Sequence, residues 1–296
     1  MKTTAIIVSR NDNYGGHLST RASYCLCSMI ETFDEVIYVD WNSPERSLIE
    51  EIRANIPATS RFKHIIVTPM EAQSFLAPHT DAQECCEVLG RNIAIRRATG
   101  DIIVSTNIDI IAPSRETLQQ FLKSKAFNPR RFVTIARCDV PRDVITNYQF
   151  DQVPSLQHHL ASQHHVYPQR HKYHWTLRMR LDRIHGRVAF NSIIECCGDF
   201  QIAHRDLWHD IRGFEESMFR RMGTDTFVQK KARQLGYQLR ADLTLPVFHI
   251  EHGSGDGGKH TDRPKNDADH YFSFNTYGEN HDNWGFADRD IPIEII

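Results

Sequence analysis

An α/β fold around a mixed, mainly parallel central sheet, with helices on both faces, is the class the sequence predicts. Three observations predict it. Short β-rich apolar runs alternate with stretches of helical spacing through the first third of the chain; several of these runs stop at a polar cluster; and the 296 residues hold no internal repeat and no Pro-rich linker. A single domain with an elaborated second half is therefore expected.

In chain order, "TTAIIVS" is the first strand, ending at Arg10-Asn11-Asp12-Asn13, and "HLSTRASYCLCSMIETF" carries apolar residues at helical spacing. "DEVIYVDWNSPE" is a second run that ends in Asp40 to Pro44; Ser47 to Ile56 follow as an amphipathic helix with Pro57 behind it. "FKHIIVTP" is a third run, "CCEVLGRNIAIRRATG" a helix closed by Gly100, and "DIIVSTNID" a fourth run. That alternation argues for right-handed βαβ units. Ligands of such sheets bind outside the carboxyl ends of the strands, where the runs at 3 to 9, 35 to 40 and 101 to 106 present their polar ends. For Asn42-Ser43-Pro44 a plain turn is the better explanation.

Residues 139 to 190 lose the rhythm and hold seven of the 17 histidines, with Tyr173 and Trp175 among them. After them "DTFVQKKARQLGY" reads as a helix and "LTLPVFHIEH" as a strand, and the Gly-, Asp- and Asn-rich tail from Gly253 reads as loop. The parse is a domain over 1–252, with a nucleotide-binding half (1–112) and an acceptor-binding half (113–252) carrying an insertion at about 139–190, then a lid and tail over 253–296.

Lys plus Arg number 35 and Asp plus Glu 37, so a net charge of -2 gives no global field for nucleic acid or anionic membrane. No apolar run approaches the 18 or so residues of a transmembrane segment. The seven cysteines lack CxxC zinc spacing and read as reduced core thiols, the pattern of a cytoplasmic protein.

Asp109, between apolar residues at the end of the fourth run, suits a hard divalent cation that grips a diphosphate; a turn or cap ahead of Pro113 is the alternative. His249 and His252 in "FHIEH" offer further ligands, although alternation along a continuing strand would put them on opposite faces. Gly253 to Lys259 fits GxxxxGK, but His260 stands where a P-loop needs Ser or Thr; the loop is read instead as a lid whose Lys259 reaches a phosphate. Gly198 permits close backbone approach, Asp199 is an acid in apolar context, and "GFEE" is a turn carrying Glu215 and Glu216. Asp225 opens a helix, where the macrodipole favours its charged form; N-cap and general base are both open to it.

The pieces "IIVSRND", "VIYVDWNSPE", "GRNIAIRRATGDIIVSTNIDIIAP", "CGDFQIAHRDLWHDIRGFEE", "GTDTFVQKKARQLGY" and "PVFHIEH" together resemble nucleotide-sugar glycosyltransferases of the GT-A fold, closest to the family 2 and galactosyltransferase-like groups. The resemblance implies transfer of a sugar from a nucleotide sugar, most simply a UDP-sugar, to a hydroxyl of a glycan or other acceptor, as in polysaccharide biosynthesis. It implies Mn²⁺ or Mg²⁺ on Asp109 and His252, with His249 the runner-up. Asn107-x-Asp109 stands where the family has DxD, so Asn107 would meet the ribose. Ser9, Arg10, Asp40, Arg91 and Asn92 match nucleotide-contacting positions. Gly198, Asp199, Phe200, Glu215 and Glu216 would line the sugar and acceptor pocket, with Trp175 a stacking surface, and Asp225 would be the base of an inverting reaction. A sugar-phosphate nucleotidyltransferase would want a basic, Gly-rich first loop that "SRNDNYGG" does not supply. A non-catalytic carbohydrate- or nucleotide-binding protein is the other alternative, prompted by the Asn at 107.

Overall fold

The computed structural model describes residues 1–76, 85–167, 198–217, 224–253 and 280–296. Trp175, Tyr173, Lys259 and most of the lid expected over 253–259 lie outside them. Among the described residues one nine-stranded sheet runs in the order β5-β8-β6-β7-β4-β1-β2-β3-β9. Its strands are β1 (Thr3–Ser9), β2 (Glu35–Trp41), β3 (Phe62–Val67), β4 (Ile102–Thr106), β5 (Ile110–Ile111), β6 (Arg131–Val140), β7 (Phe200–His204), β8 (Gln238–Ile250) and β9 (Ile293–Ile295).

The β3-β2-β1-β4 core is parallel, as βαβ alternation requires, and β6 pairs with β8 in parallel. β7 is antiparallel to both β4 and β6, and β5 to β8. Because β7 reverses between them, β6 and β8 point the same way as β4. Their carboxyl ends therefore share an edge with the ends of β1, β2 and β4, while β7 and β5 begin there.

Helices α1 (Leu18–Thr32), α2 (Leu48–Ile52), α3 (Pro69–Leu76), α4 (Glu87–Arg97), α5 (Arg115–Lys123), α6 (Arg142–Thr146), α7 (Val153–Ser162), α8 (Arg205–Asp210) and α9 (Thr224–Gln234) cover the sheet. Every residue of β1 is buried, and alternation splits it between two cores. Ala5 and Ile7 pack with Leu26, Met29 and Phe33 from α1 and its end, whereas Ile6 and Val8 pack with Leu89 and Ile93 of α4. The five cysteines of the described residues are buried and form no disulfide among themselves. No described helix is long and apolar enough to cross a membrane.

Three boundaries differ from the sequence reading. The helix expected from Ser47 to Ile56 is five residues of α-helix followed by a 3-10 turn over Arg53–Asn55. Residue 139, read as the start of an insertion, lies inside β6 because Arg131–Val140 is one continuous strand. The tail, read as loop, returns as β9, antiparallel to β3, and buries Trp284 against the α4 side of the sheet.

Candidate metal centre and general base

β4 ends at Thr106, and a tight turn with Ile110 N–H bonded to Asn107 O delivers Asp109 to the carboxyl edge. The backbone carbonyl of Asp109 accepts from Ile250 N at 2.9 Å, which anchors it to the end of β8. β8 ends at Ile250, so His249 is still in register, opposite Ile110 on one side and Asp139 on the other. His252 lies past the strand end, and the chain's turn there brings both imidazoles onto one carboxylate. His252 Nε2 stands 3.0 Å and His249 Nε2 3.6 Å from Asp109 Oδ2. Gly15, at φ 71, lets the loop after β1 press against His252, where a Cβ would collide with the imidazole.

The proton inventory of the cluster decides what it can hold. His252 Nδ1 faces the carbonyl of Gly253 at 2.7 Å, and His249 Nδ1 faces Asp139 Oδ1 at 2.9 Å. A carbonyl and a carboxylate only accept, so each ring carries a proton on Nδ1 and turns Nε2 towards Asp109. The atoms these three residues offer lie within 4.8 Å of one another. Three converging lone-pair donors need either extra protons or a cation between them. Asp109 Oδ1 is buried without a hydrogen-bond partner, and protonated histidines on Oδ2 would leave it unsatisfied. One carboxylate with two imidazoles fits a divalent transition metal such as Mn²⁺ or Zn²⁺ better than Mg²⁺, which favours an all-oxygen shell.

Burial works against ionising Asp109, but hydrogen bonds and charge from His249 and His252 hold its carboxyl far below the usual range. His249 is likewise disfavoured by burial, yet its bonds to Asp109 and Asp139 raise it above an ordinary imidazole. Arg21 of α1, fully buried, brings Nη1 to 3.4 Å from Asp109 Oδ2 and donates to the carbonyls of Gly16 and Tyr14. It gives Asp109 a fixed countercharge.

Asn107 does not reach this cluster. Its Oδ1 accepts from Arg91 Nη2 at 2.7 Å, and its Nδ2 donates to Asp199 Oδ1 at 3.2 Å. An amide can face a guanidinium with its oxygen and a carboxylate with its nitrogen, which a carboxylate at this position could not do. Arg91, 4 % exposed, also donates to Ser105 and to Glu87, and its Nη1 lies 3.5 Å from Asp225 Oδ1. Asp225 opens α9 with its carboxylate against Gly198, whose φ of 83 leaves the space a Cβ would occupy. Burial pushes Asp225 up to about 6, with Arg91 opposing and Glu87 and Asp199 adding to the rise. The expectation that the helix dipole would favour its charged form is thus overridden by desolvation.

Several residues expected at a ligand surface have polar groups bonded to the protein itself. Asp40, 1 % exposed, accepts from Leu48 N at 2.6 Å and from Ser43 Oγ, which ties down the segment entering α2. Ser9 Oγ is bonded to Tyr38 Oη, and Arg10 Nε donates to Asn42 O. Asn92 is fully buried, with its amide bonded to Phe214 N and O and to Glu216. Glu216 also accepts from Gly285 N, and Glu215 binds Ser217 and faces Lys231, so the "GFEE" turn is fastened to α4, α9 and the tail. Phe200, the first residue of β7, is buried in the core beside Phe33, while Asp199, just before the strand, bonds to Arg137 and Asn107. For the polar residues the reason is common: such groups near strand ends also cap and brace, and sequence does not distinguish the two uses.

Arg21, Arg137 and Asp139 belong to the site and were not singled out from sequence. Arg21 was detectable as a charge in an otherwise apolar helix, and Arg137 and Asp139 as charges at alternate positions near the end of a buried strand.

No protein-family model and no curated protein sequence matches the chain. Solved structures do. The mannosyltransferase PcManGT from Pyrobaculum calidifontis, in complex with GDP-Man and Mn²⁺, is similar at 18 % identity and a TM-score of 0.47 over 84 % of this chain and 56 % of that one. S. aureus TarS 1-349 in complex with UDP is similar at 15 % identity and a TM-score of 0.48, over 85 % of this chain and 61 % of that one. A mycobacterial protein is similar at 13 % identity and a TM-score of 0.42, over 87 % and 69 %. The chain thus spans less than two-thirds of the length of PcManGT and TarS.

Proposed function

We propose that the protein is a metal-dependent glycosyltransferase that moves a sugar from a nucleotide sugar, a UDP-sugar in the first instance, to an acceptor hydroxyl with inversion. The observation that carries this reading is the convergence of Asp109, His249 and His252 on one point of the carboxyl edge, on the same edge as a carboxylate poised near neutrality at Asp225. Asp109, His249 and His252 would hold the cation, which when bound neutralises charge on the departing diphosphate. Asp225, ionised above about pH 6, accepts the proton of the attacking hydroxyl. Arg91 keeps that carboxylate in place and, with Asn107 and Asp199, surrounds it with a fixed polar frame. Ser9 and Arg10, at the end of β1, are assigned to the nucleotide and Lys259 to its phosphates. Buried thiols support a reducing, cytoplasmic setting.

The test is calorimetric titration of UDP and GDP with and without Mn²⁺, paired with a nucleotide-release screen across UDP- and GDP-sugars. Metal-dependent nucleotide binding that Asp109→Ala abolishes supports the site, and donor turnover supports transfer. Binding without turnover on any donor would favour the non-catalytic alternative. Nucleotide binding that survives both chelation and Asp109→Ala would sink the reading.

A further inference from the structure

The two imidazoles of the cation site are backed differently. His252 leans on a backbone carbonyl, whereas His249 leans on a carboxylate that has no place in the ligand cluster. Asp139 stands directly across from His249 in the β6–β8 register, and its Oδ1 meets Nδ1, the nitrogen turned away from Asp109. That oxygen also accepts from Arg137 Nε at 3.0 Å, and Arg137 Nη1 donates to Asp199 Oδ1 at 2.7 Å. The Arg137 and Asp139 side chains are 11 % and 25 % exposed, so the pair is largely withdrawn from solvent.

We propose that Asp139 is the positioning residue of the cation site: held by Arg137, it pins the His249 ring in the tautomer whose Nε2 lone pair faces Asp109. The inference rests on the metal-dependent reading above. The physical case is that an imidazole next to a strand end, even one as buried as His249, can flip or exchange tautomers, and either change removes its lone pair from the ion. A carboxylate fixed across the strand opposes both and makes the ring a stronger donor. The same strand reaches Asp199 through Arg137, and Asp199 in turn holds Asn107. One strand of the sheet therefore sets the geometry of both the cation ligands and the frame around Asp225.

The experiment is Mn²⁺ binding by electron paramagnetic resonance, without nucleotide, for the intact chain and for Asp139→Ala and Asp139→Asn, with thermal unfolding in EDTA as a control for folding. Imidazole nitrogen NMR of the metal-free proteins reports the His249 tautomer. Asp139→Ala is expected to weaken Mn²⁺ binding by about 10–100-fold and to mix the tautomers. Asp139→Asn keeps an acceptor for Nδ1–H and is expected to fall between Ala and the parent, which carries the test should the Ala variant fail to fold. Parent-like affinity and tautomer in Asp139→Ala would overturn this inference alone. A parent protein that binds neither Mn²⁺ nor Zn²⁺ would overturn it together with the metal-dependent reading.

Discussion

Two carboxylates at one sheet edge are driven in opposite directions. Asp109 is closed in by His249, His252 and Arg21, and stays ionised although burial opposes it. Asp225 is desolvated beside Glu87 and Asp199 with one guanidinium against it, and rises to about 6. The difference lies in the neighbours, since both are desolvated. A carboxylate locked in its anionic form suits a permanent electrostatic role, and one that titrates near neutrality suits proton transfer; environments that push two acids apart are how one site supplies both.

Removing Asp109 is the most damaging way to break that contrast. Asp109→Ala takes the lone anion from the ligand cluster and leaves Arg21 buried without its countercharge. A loss of donor turnover of at least about 10³-fold is expected, with Mn²⁺ no longer bound in calorimetry. Leaving that guanidinium unpaired also costs about 3–5 kcal/mol of stability, so the variant should unfold at visibly lower denaturant. Normal Mn²⁺ affinity in a folded Asp109→Ala protein would contradict the assignment.

Asp225→Asn comes next, because it keeps shape and removes only the proton acceptor. A drop in kcat of about 10²–10³-fold is expected, with metal-dependent nucleotide binding retained. The pH profile sharpens the point. A carboxyl raised from 3.8 to about 6 is protonated below that pH, so kcat/KM at saturating Mn²⁺ should fall about tenfold per pH unit below about 6 and level off above it. In Asp225→Asn that limb should vanish; a limb that persists assigns the titration to another group.

The same contrast marks what could be read from sequence. Strands β1 to β4 and helices α1 and α4 were legible, because period-two and period-3.6 patterns with Gly and Pro stops follow from burial on two sheet faces. Asp109, His249 and His252 were legible as candidates because each interrupts or ends an apolar run, where a charged or polar group needs a partner. Their shared orientation was not, since it depends on the chain leaving β8 at Ile250. Asp139 and Arg137 were hidden because their partners, His249 and Asp199, are fixed by strand order and register rather than by spacing. β9 was invisible because an alternation over only three residues, Ile-Glu-Ile, is too short to read as a strand. Asp40 and Asn92 misled for the converse reason, being polar residues near the edge whose groups turn inward.

Asn107 offers a gentler perturbation. An acid there would match a two-acid motif, yet the structure predicts harm from Asn107→Asp. The new carboxylate would face Asp199 where an N–H now donates, and two anions about 4 Å apart repel by about 4 kcal/mol at an effective dielectric of about 20. One of them would protonate or swing away, loosening Arg91. Turnover should fall about tenfold with Mn²⁺ affinity unimproved. Tighter Mn²⁺ binding in Asn107→Asp would show that position 107 reaches the ion after all.

The smallest expected effect is at Gly198, and it tests whether Asp225 owes its environment to packing. Gly198 adopts φ 83, where an L side chain costs about 1–2 kcal/mol, and its missing Cβ leaves room for the Asp225 carboxylate. Gly198→Ala should lower the melting temperature by a few degrees and push that carboxylate away from its niche towards solvent. Better hydration favours the ionised form, so the acid limb of kcat/KM should move to lower pH while Mn²⁺ binding at Asp109 stays unchanged. A lower melting temperature with an unmoved limb would mean that Glu87 and Asp199, rather than the close approach of Gly198, keep Asp225 near neutrality.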